Sequence, residues 1–388
     1  MEHPRVHDLN ARLSWGRLYR SPFVSGLWAL LEPAGLQNHA AQLAWLTPGT
    51  LACVWMAGDR EGTAGMSVYL SVLRPRSSSW SSPRLISQDP IRSEQNPLLF
   101  IAEGQLRLIH TAQHCRRPSD PAEPDRPFSM QWTASLRVQS RAPRGRRWCP
   151  AADLIDQPAF CRHQPHRRPD GRWLLPIYRC LEQGQAFGSD LSEVLLLEPD
   201  GRFSGTVVPV PESTGRVHGS IVASADGASL LQFFRSRLAD RIYCSRSTAD
   251  GLCWSAPQPT SLPNNNSSIQ ALRLASGRLA MIFNRCSEET EPAAPERWGQ
   301  ARWGCPRWPL TVALSNDDGH SWPWMRDIDC GEGFCGEANR LCNTNAAYPT
   351  IVEGQPGELH IAYSWGDRFA IRYLCLSEQA ILGVQEPA

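Results

Sequence analysis

The 388-residue chain contains no lysine, and all 39 of its basic residues are arginine. That absence excludes every chemistry that needs a lysine amine, from Schiff bases and pyridoxal-phosphate attachment to a phosphate-loop lysine. Arg-only usage is most simply a matter of genomic base composition. Net charge is also lacking: against 38 acidic residues the formal value is +1, which gives no electrostatic basis for a nucleic-acid or anionic-membrane partner. No apolar run approaches the roughly 20 residues of a membrane span. Met1–Arg20 carries charges throughout, and the apolar stretch Phe23–Leu31 is short and interrupted by Ser25 and Gly26. Neither reads as a signal peptide, so the cytoplasm is the default expectation. No CxxC pair occurs among the 13 cysteines, which disfavours zinc ribbons and thioredoxin-like redox motifs. Their one cluster, Cys330, Cys335 and Cys342, reads as reduced, packed thiols, with a metal site or a disulfide loop as alternatives. No metal and no organic cofactor is expected.

What is present is material for a core, 41% apolar residues with 20% charged, in the proportions of a globular protein. With 32 Pro and 29 Gly spread along the chain, few helical windows survive. The dominant pattern is a hairpin repeated six times, an apolar strand, a turn ending in glycine, and a second strand of alternating apolar residues. The turn glycines are Gly49, Gly104, Gly171, Gly227, Gly277 and Gly357, 50 to 80 residues apart. That is about the length of a four-stranded propeller blade with variable loops, and closing six such units into a ring removes exposed strand edges. The expected fold is therefore all-β, a six-bladed β-propeller over residues 36–376. Residues 1–35 form an N-terminal segment able to close the last blade, and 377–388 a tail. Two packed β-sandwiches are the alternative, but they would not repeat one hairpin six times. In a propeller, the residues opening the first strand of each hairpin gather at one mouth of the channel. The segments Pro143–Arg147 and Cys286–Arg302 have the polarity of long loops that could border it.

Ser315-Asn316-Asp317-Asp318-Gly319-His320-Ser321-Trp322 matches the Asp-box S-x-D-x-G-x-[ST]-W at every defined position, and Ser247–Trp254 is a degenerate copy with Ala249 at the usual Asp. Trp80 and Trp148 stand where two further worn-down boxes would fall. The box is a self-closing turn: Asp317 can accept backbone N–H bonds, Gly319 takes the strained dihedral and Trp322 packs beneath. With the phrases Gly58-Asp59-Arg60-Glu61-Gly62, Gln95-Asn96-Pro97, Phe233–Arg237 and Asn264–Ser268, the chain resembles the Asp-box (BNR-repeat) sialidase-like six-bladed propellers, in their "predicted neuraminidase" branch, over roughly residues 36–376.

That resemblance implies a substrate carboxylate clamped by three arginines, a Tyr–Glu nucleophilic pair and an Asp acid/base. The first arginine would fall at Asn38-His39-Ala40, the second at Arg235 and the third at Arg307. The Glu would open the fourth blade, where His218 stands. The Tyr would fall near Ala346 and Ala347, with Tyr348 close by and out of register. The clamp is thus partly retained and the nucleophilic pair rebuilt. The candidate catalytic residues are His39, Glu61, His218 and Tyr348, with His39 and His218 at analogous mouth positions. The candidate binding residues are Arg60, Asn96, Arg162, Arg235, Asn265, Asn284 and Arg307, each also explicable as packing, loop closure or ion pairing. Ser315, Asp317, Gly319 and Trp322 are structural. The expected partner is an acidic glycan, bound by a monomer or an oligomer the sequence does not reveal. The expected activity is that of a glycoside hydrolase acting on a terminal acidic sugar, with a uronate lyase using a His base, or a non-catalytic glycan-binding propeller, as alternatives.

Overall fold

A computed structural model describes residues 14–21, 26–115, 131–142, 145, 147–181, 189–330 and 345–383; Cys335 and Cys342 lie outside them. The six hairpins form the inner halves of six antiparallel sheets arranged in a ring. Their inner strands are Gln37–Thr47, Arg92–Ala102, Phe160–Cys161, Arg216–Ala223, Gln270–Arg273 and Ala347–Glu353. All six turn glycines adopt left-handed φ, from 69° to 87°, the conformation a tight hairpin turn requires and glycine adopts without steric cost. Gly26–Leu30 pairs with Ala370–Ser377 on the outside of the sixth sheet, so the chain's beginning and end share one blade.

Successive residues of each inner strand face the two neighbouring blades in turn, so both faces are buried and apolar clusters fill the spaces between sheets. Glutamines on the inner strands, and Gln164 in the break of the third, stitch the blades together below the mouth. Gln42 accepts from the Leu99 amide at 2.9 Å. Gln270 exchanges two hydrogen bonds with the Ile351 main chain. Gln164 donates to the carbonyls of Leu43 and Leu99. These are neutral groups satisfying neutral partners between packed blades, where an unpaired buried polar atom would cost free energy. The third inner strand differs from the expected continuous run Phe160–His166. It leaves the ladder after Cys161 and rejoins at His166–Arg167; Pro165 cannot donate a ladder bond, and Arg162 and His163 are buried in the gap.

The intact Asp-box closes on itself. Asp317 accepts from the Ser315 hydroxyl at 2.7 Å and from the Ser321 amide at 2.8 Å. Partial burial pushes the Asp317 carboxyl up, but these bonds and the Ser321 hydroxyl outweigh it and bring it to about 2. In the degenerate box Asp250 takes over, accepting from Thr248 and Leu252. Trp322 is buried in the cluster with Phe233, Met281 and Phe283. Trp322→Ala should therefore lower unfolding stability by about 3–5 kcal/mol in denaturant titration, while leaving the mouth, on the other side of the sheet ends, unchanged in ligand affinity.

Candidate functional site

A backbone device repeated around the ring builds the mouth. In four blades the inner strand gains one extra residue at the same place, between His39 and Gln42, Gln95 and Leu98, Val217 and Ser220, and Ala347 and Thr350. The residue after the last paired one, namely Ala40, Asn96, His218 or Tyr348, takes φ between 49° and 57°, and Asn266 in the fifth blade has φ 56°. Such bulges re-aim a side chain off the sheet. They also correct two expectations. Tyr348 is in register with the mouth because the bulge turns it there. His39 is the equivalent of Val217, while His218 is the equivalent of Ala40; the two histidines reach the site from different positions.

Tyr348 is the hub. Its ring packs against His39 at 4.3 Å and edge-on to His218 at 5.3 Å between centroids. The guanidinium carbons of Arg162, Arg235 and Arg307 lie 5.3, 5.6 and 5.6 Å from the same ring centre. Arg235 donates to the Tyr348 hydroxyl at 2.7 Å and, through Nε, to Asn266 at 2.8 Å. Burial alone would push the Tyr348 phenol up; the charges of Arg235, Arg307 and Arg237 outweigh it, and the net shift is downward.

The sequence candidates divide into three groups. Arg235, Arg307, His39, His218 and Tyr348 meet in one cluster. Glu61 is beside it, ion-paired with Arg368 at 2.6 Å. Asn96 holds a mouth bulge, buried at 4% exposure. The second group does structural work. Arg162 is fully enclosed, its Nη2 donating to the carbonyls of Ala41, Tyr348 and Pro349 and its Nε to Ser268; it ties three other blades to its own rather than standing open as a clamp. Asn265 donates to the Pro306 carbonyl. Asn284 donates to the carbonyls of Arg307 and Ala346, at 2.8 and 2.9 Å, and so positions the chain leading into both Arg307 and Tyr348. The third group is Arg60 alone, an exposed loop residue; the guanidinium partner of Glu61 is Arg368.

Several site residues were not among the candidates. Arg237 is two residues beyond Arg235 and one past the end of the strand Ser229–Ser236; the alternation that selects Arg235 could have been read one step further. It binds Asp190 at 2.6 Å. Arg368 sits in a turn with left-handed Asp367 and Arg368, which carries no distinctive sequence signal. Tyr178 touches His218 from the third blade, 3.3 Å from its Nε2. Trp303, 46% exposed, lies over Arg235 and Arg237 from the loop before Arg307.

The charge balance of the cluster is uneven. Its two carboxylates are each committed, Asp190 to Arg237 and Glu61 to Arg368. Arg162, Arg235 and Arg307 have no carboxylate partner among the described residues, and Arg307 makes no side-chain hydrogen bond there. Burial, together with neighbouring positive charge, lowers all three, Arg162 and Arg307 to about 10. Burial first, and then the arginines, push His39 and His218 far below the ordinary imidazole range, so both are neutral. His39 donates or accepts through Nδ1 with the Ser364 hydroxyl at 2.8 Å, while its Nε2 and the Nδ1 of His218 have no hydrogen-bond partner among the described residues. Among the described residues one group has metal-ligating composition, Glu358, His360 and Cys375 on the sixth blade; it shares no contact with the mouth.

Fold and site together define a sialidase-like six-bladed propeller. The chain belongs to the BNR repeat-like domain family, whose model matches residues 49–361. Among solved structures it is similar to the Hadza microbial sialidase Hz136, at 13% identity and TM-score 0.66, over 89% of this chain and 67% of that one. It is also similar to a protein of unknown function from Dyadobacter fermentans DSM 18053, at 14% identity and TM-score 0.67, over 92% of this chain and all of that one. Trypanosoma rangeli sialidase matches at 10% identity and TM-score 0.62, over 96% of this chain and 59% of its own length. A search of curated proteins finds no match. Identities this low carry the fold and leave the chemistry to the site.

Proposed function

We propose that the protein is a glycan-active enzyme that takes a terminal sugar bearing a carboxylate and cleaves its glycosidic bond through Tyr348. The observation that carries this reading is the set of three guanidiniums around Tyr348 with no carboxylate paired to them among the described residues, an arrangement whose electrostatic cost is relieved by an anionic ligand. Arg307, with no side-chain hydrogen bond or carboxylate partner among the described residues, takes the substrate carboxylate, and Arg235 holds the phenol oxygen. Tyr348, as the phenolate, attacks the anomeric carbon as the bond to the leaving oxygen breaks, and that oxygen takes its proton from solvent water; a second water then displaces the phenolate and releases the sugar. The family's Glu is replaced by a neutral His218. Ionisation of the nucleophile therefore depends on the positive field rather than on a carboxylate base.

A second reading rests on the two bare imidazole nitrogens. A neutral His39 or His218 could remove the C5 proton of a bound uronate, with Tyr348 protonating the leaving oxygen. Mass analysis of products from a panel of acidic oligosaccharides separates the readings, because hydrolysis adds one water and elimination gives an ultraviolet-absorbing unsaturated uronate. The expected product is a free acidic monosaccharide. Arg307→Ala should weaken binding of the acidic sugar about 30-fold or more without altering binding of its uncharged analogue. Binding without any product would leave a lectin-like propeller, and neither binding nor product would overturn both readings.

A further inference from the structure

The loop that enters the mouth between Leu279–Asn284 and Leu310–Ser315 carries a cysteine at each end. The Sγ atoms of Cys286 and Cys305 lie 3.5 Å apart although 19 positions separate them. Both are partly exposed, so a small-molecule oxidant can reach them. We propose that Cys286 and Cys305 are a disulfide-forming pair that fastens this loop over the mouth. A disulfide needs a separation of about 2.05 Å, which side-chain rotation supplies from this starting point. What the link would fasten is the site's fifth wall. The Arg302 amide donates to the Arg237 carbonyl at 2.8 Å. Asn266, which also holds Arg235, donates to the Arg302 carbonyl at 2.7 Å. Trp303 covers Arg235 and Arg237, and Arg307 follows Cys305 by two residues.

The chemistry balances with a small disulfide such as glutathione disulfide as the oxidant. Burial, with Cys286 beside it, pushes the Cys305 thiol up to about 12, and the exchange balances with Cys286 attacking first. Its thiolate displaces one glutathione from the oxidant and forms a mixed disulfide. The Cys305 thiolate then attacks the Cys286 sulfur, and the second glutathione leaves. The two thiols lose two protons and two electrons, and the oxidant becomes two glutathiones. Closing the loop removes conformational freedom from the segment that presents Trp303 and Arg307.

The test needs no substrate, so its outcome is independent of the proposed activity. The folded full-length chain is treated with glutathione disulfide, its remaining thiols are alkylated, and it is digested with trypsin. With no lysine present, cleavage follows arginine, placing Cys286 on the peptide Cys286–Arg297 and Cys305 on Trp303–Arg307. The two peptides should appear as one species that separates on reduction. Cys286→Ser should lose that species, with an unchanged circular dichroism spectrum. Tryptic cutting of the folded protein at Arg297 and Arg302 should be about tenfold slower in the oxidised wild type than in the reduced protein. Separate alkylated peptides after oxidation, or Cys286 joined to Cys330, Cys335 or Cys342, would overturn the assignment.

Discussion

Tyr348→Phe is expected to keep most of the affinity for an acidic sugar and to lose turnover by about 10³-fold or more. The substitution removes one oxygen and preserves the ring that packs on His39 at 4.3 Å and stands among the arginines. Arg307 still meets the substrate carboxylate, so binding persists, while the atom that would form the covalent bond is gone. In the wild type, a fluorinated acidic sugar with a good leaving group should accumulate as an adduct on the tryptic peptide 341–368, and the variant should show none. The pH dependence follows from the direction of the shift. The guanidiniums of Arg235 and Arg307 outweigh burial and lower the Tyr348 phenol below its usual value near 10, and the reactive phenolate grows as pH rises. Turnover should climb with pH on a limb lying below the ordinary tyrosine range, and Arg235→Met should move that limb upward. Equal turnover in Tyr348→Phe would remove the tyrosine from the mechanism, and loss of affinity along with turnover would make it a binding residue.

The ring of six sheets was legible because its signal is local and repeated. A glycine needed for a left-handed turn recurs six times, and the Asp-box spells out its own hydrogen bonds in one octapeptide. The site was legible only in part, because its geometry depends on backbone events with weak local signatures. Arg235 stood out as a charge in an apolar strand. Arg237 followed the same alternation but was passed over. Tyr348 looked misplaced because a one-residue bulge shifts every later position by half a pleat, and residue counting cannot see a bulge. The same event separated His39 from His218. Arg162 misled for a different reason. An inward arginine can meet a ligand or the chain's own carbonyls, and which of these occurs is decided by main-chain atoms from the first and sixth blades, far away in sequence. Arg60 and Arg368 make the opposite case: the arginine adjacent to Glu61 in sequence is exposed on its loop, and one more than 300 residues distant supplies the ion pair.

Acid should unfold this protein steeply, through histidines kept neutral by burial and then by the arginines beside them. His39, His163 and His218 are each held well below the ordinary value of 6.5, by burial first and by neighbouring arginine charge second. Above 6.5 the folded and unfolded chains both carry neutral imidazoles, and these groups contribute no pH dependence. As pH falls through 6.5 the unfolded chain binds three protons that the folded chain refuses, so stability declines. Each group removes about 1.4 kcal/mol per pH unit once well below 6.5, and the three together about 4 kcal/mol per unit. Denaturant titrations at pH 7.5 and 5.5 should reveal the loss, with His39→Gln and His218→Gln each removing about a third of the slope. Equal stability at the two pH values would mean that the cluster tolerates imidazolium, contrary to its burial. An acidic sugar tests the link between this sensitivity and the site. Its carboxylate, seated against Arg307, offsets the positive field and binds only the folded chain. Saturating acidic sugar should therefore shift the acid midpoint to lower pH, while an uncharged analogue at the same concentration should not.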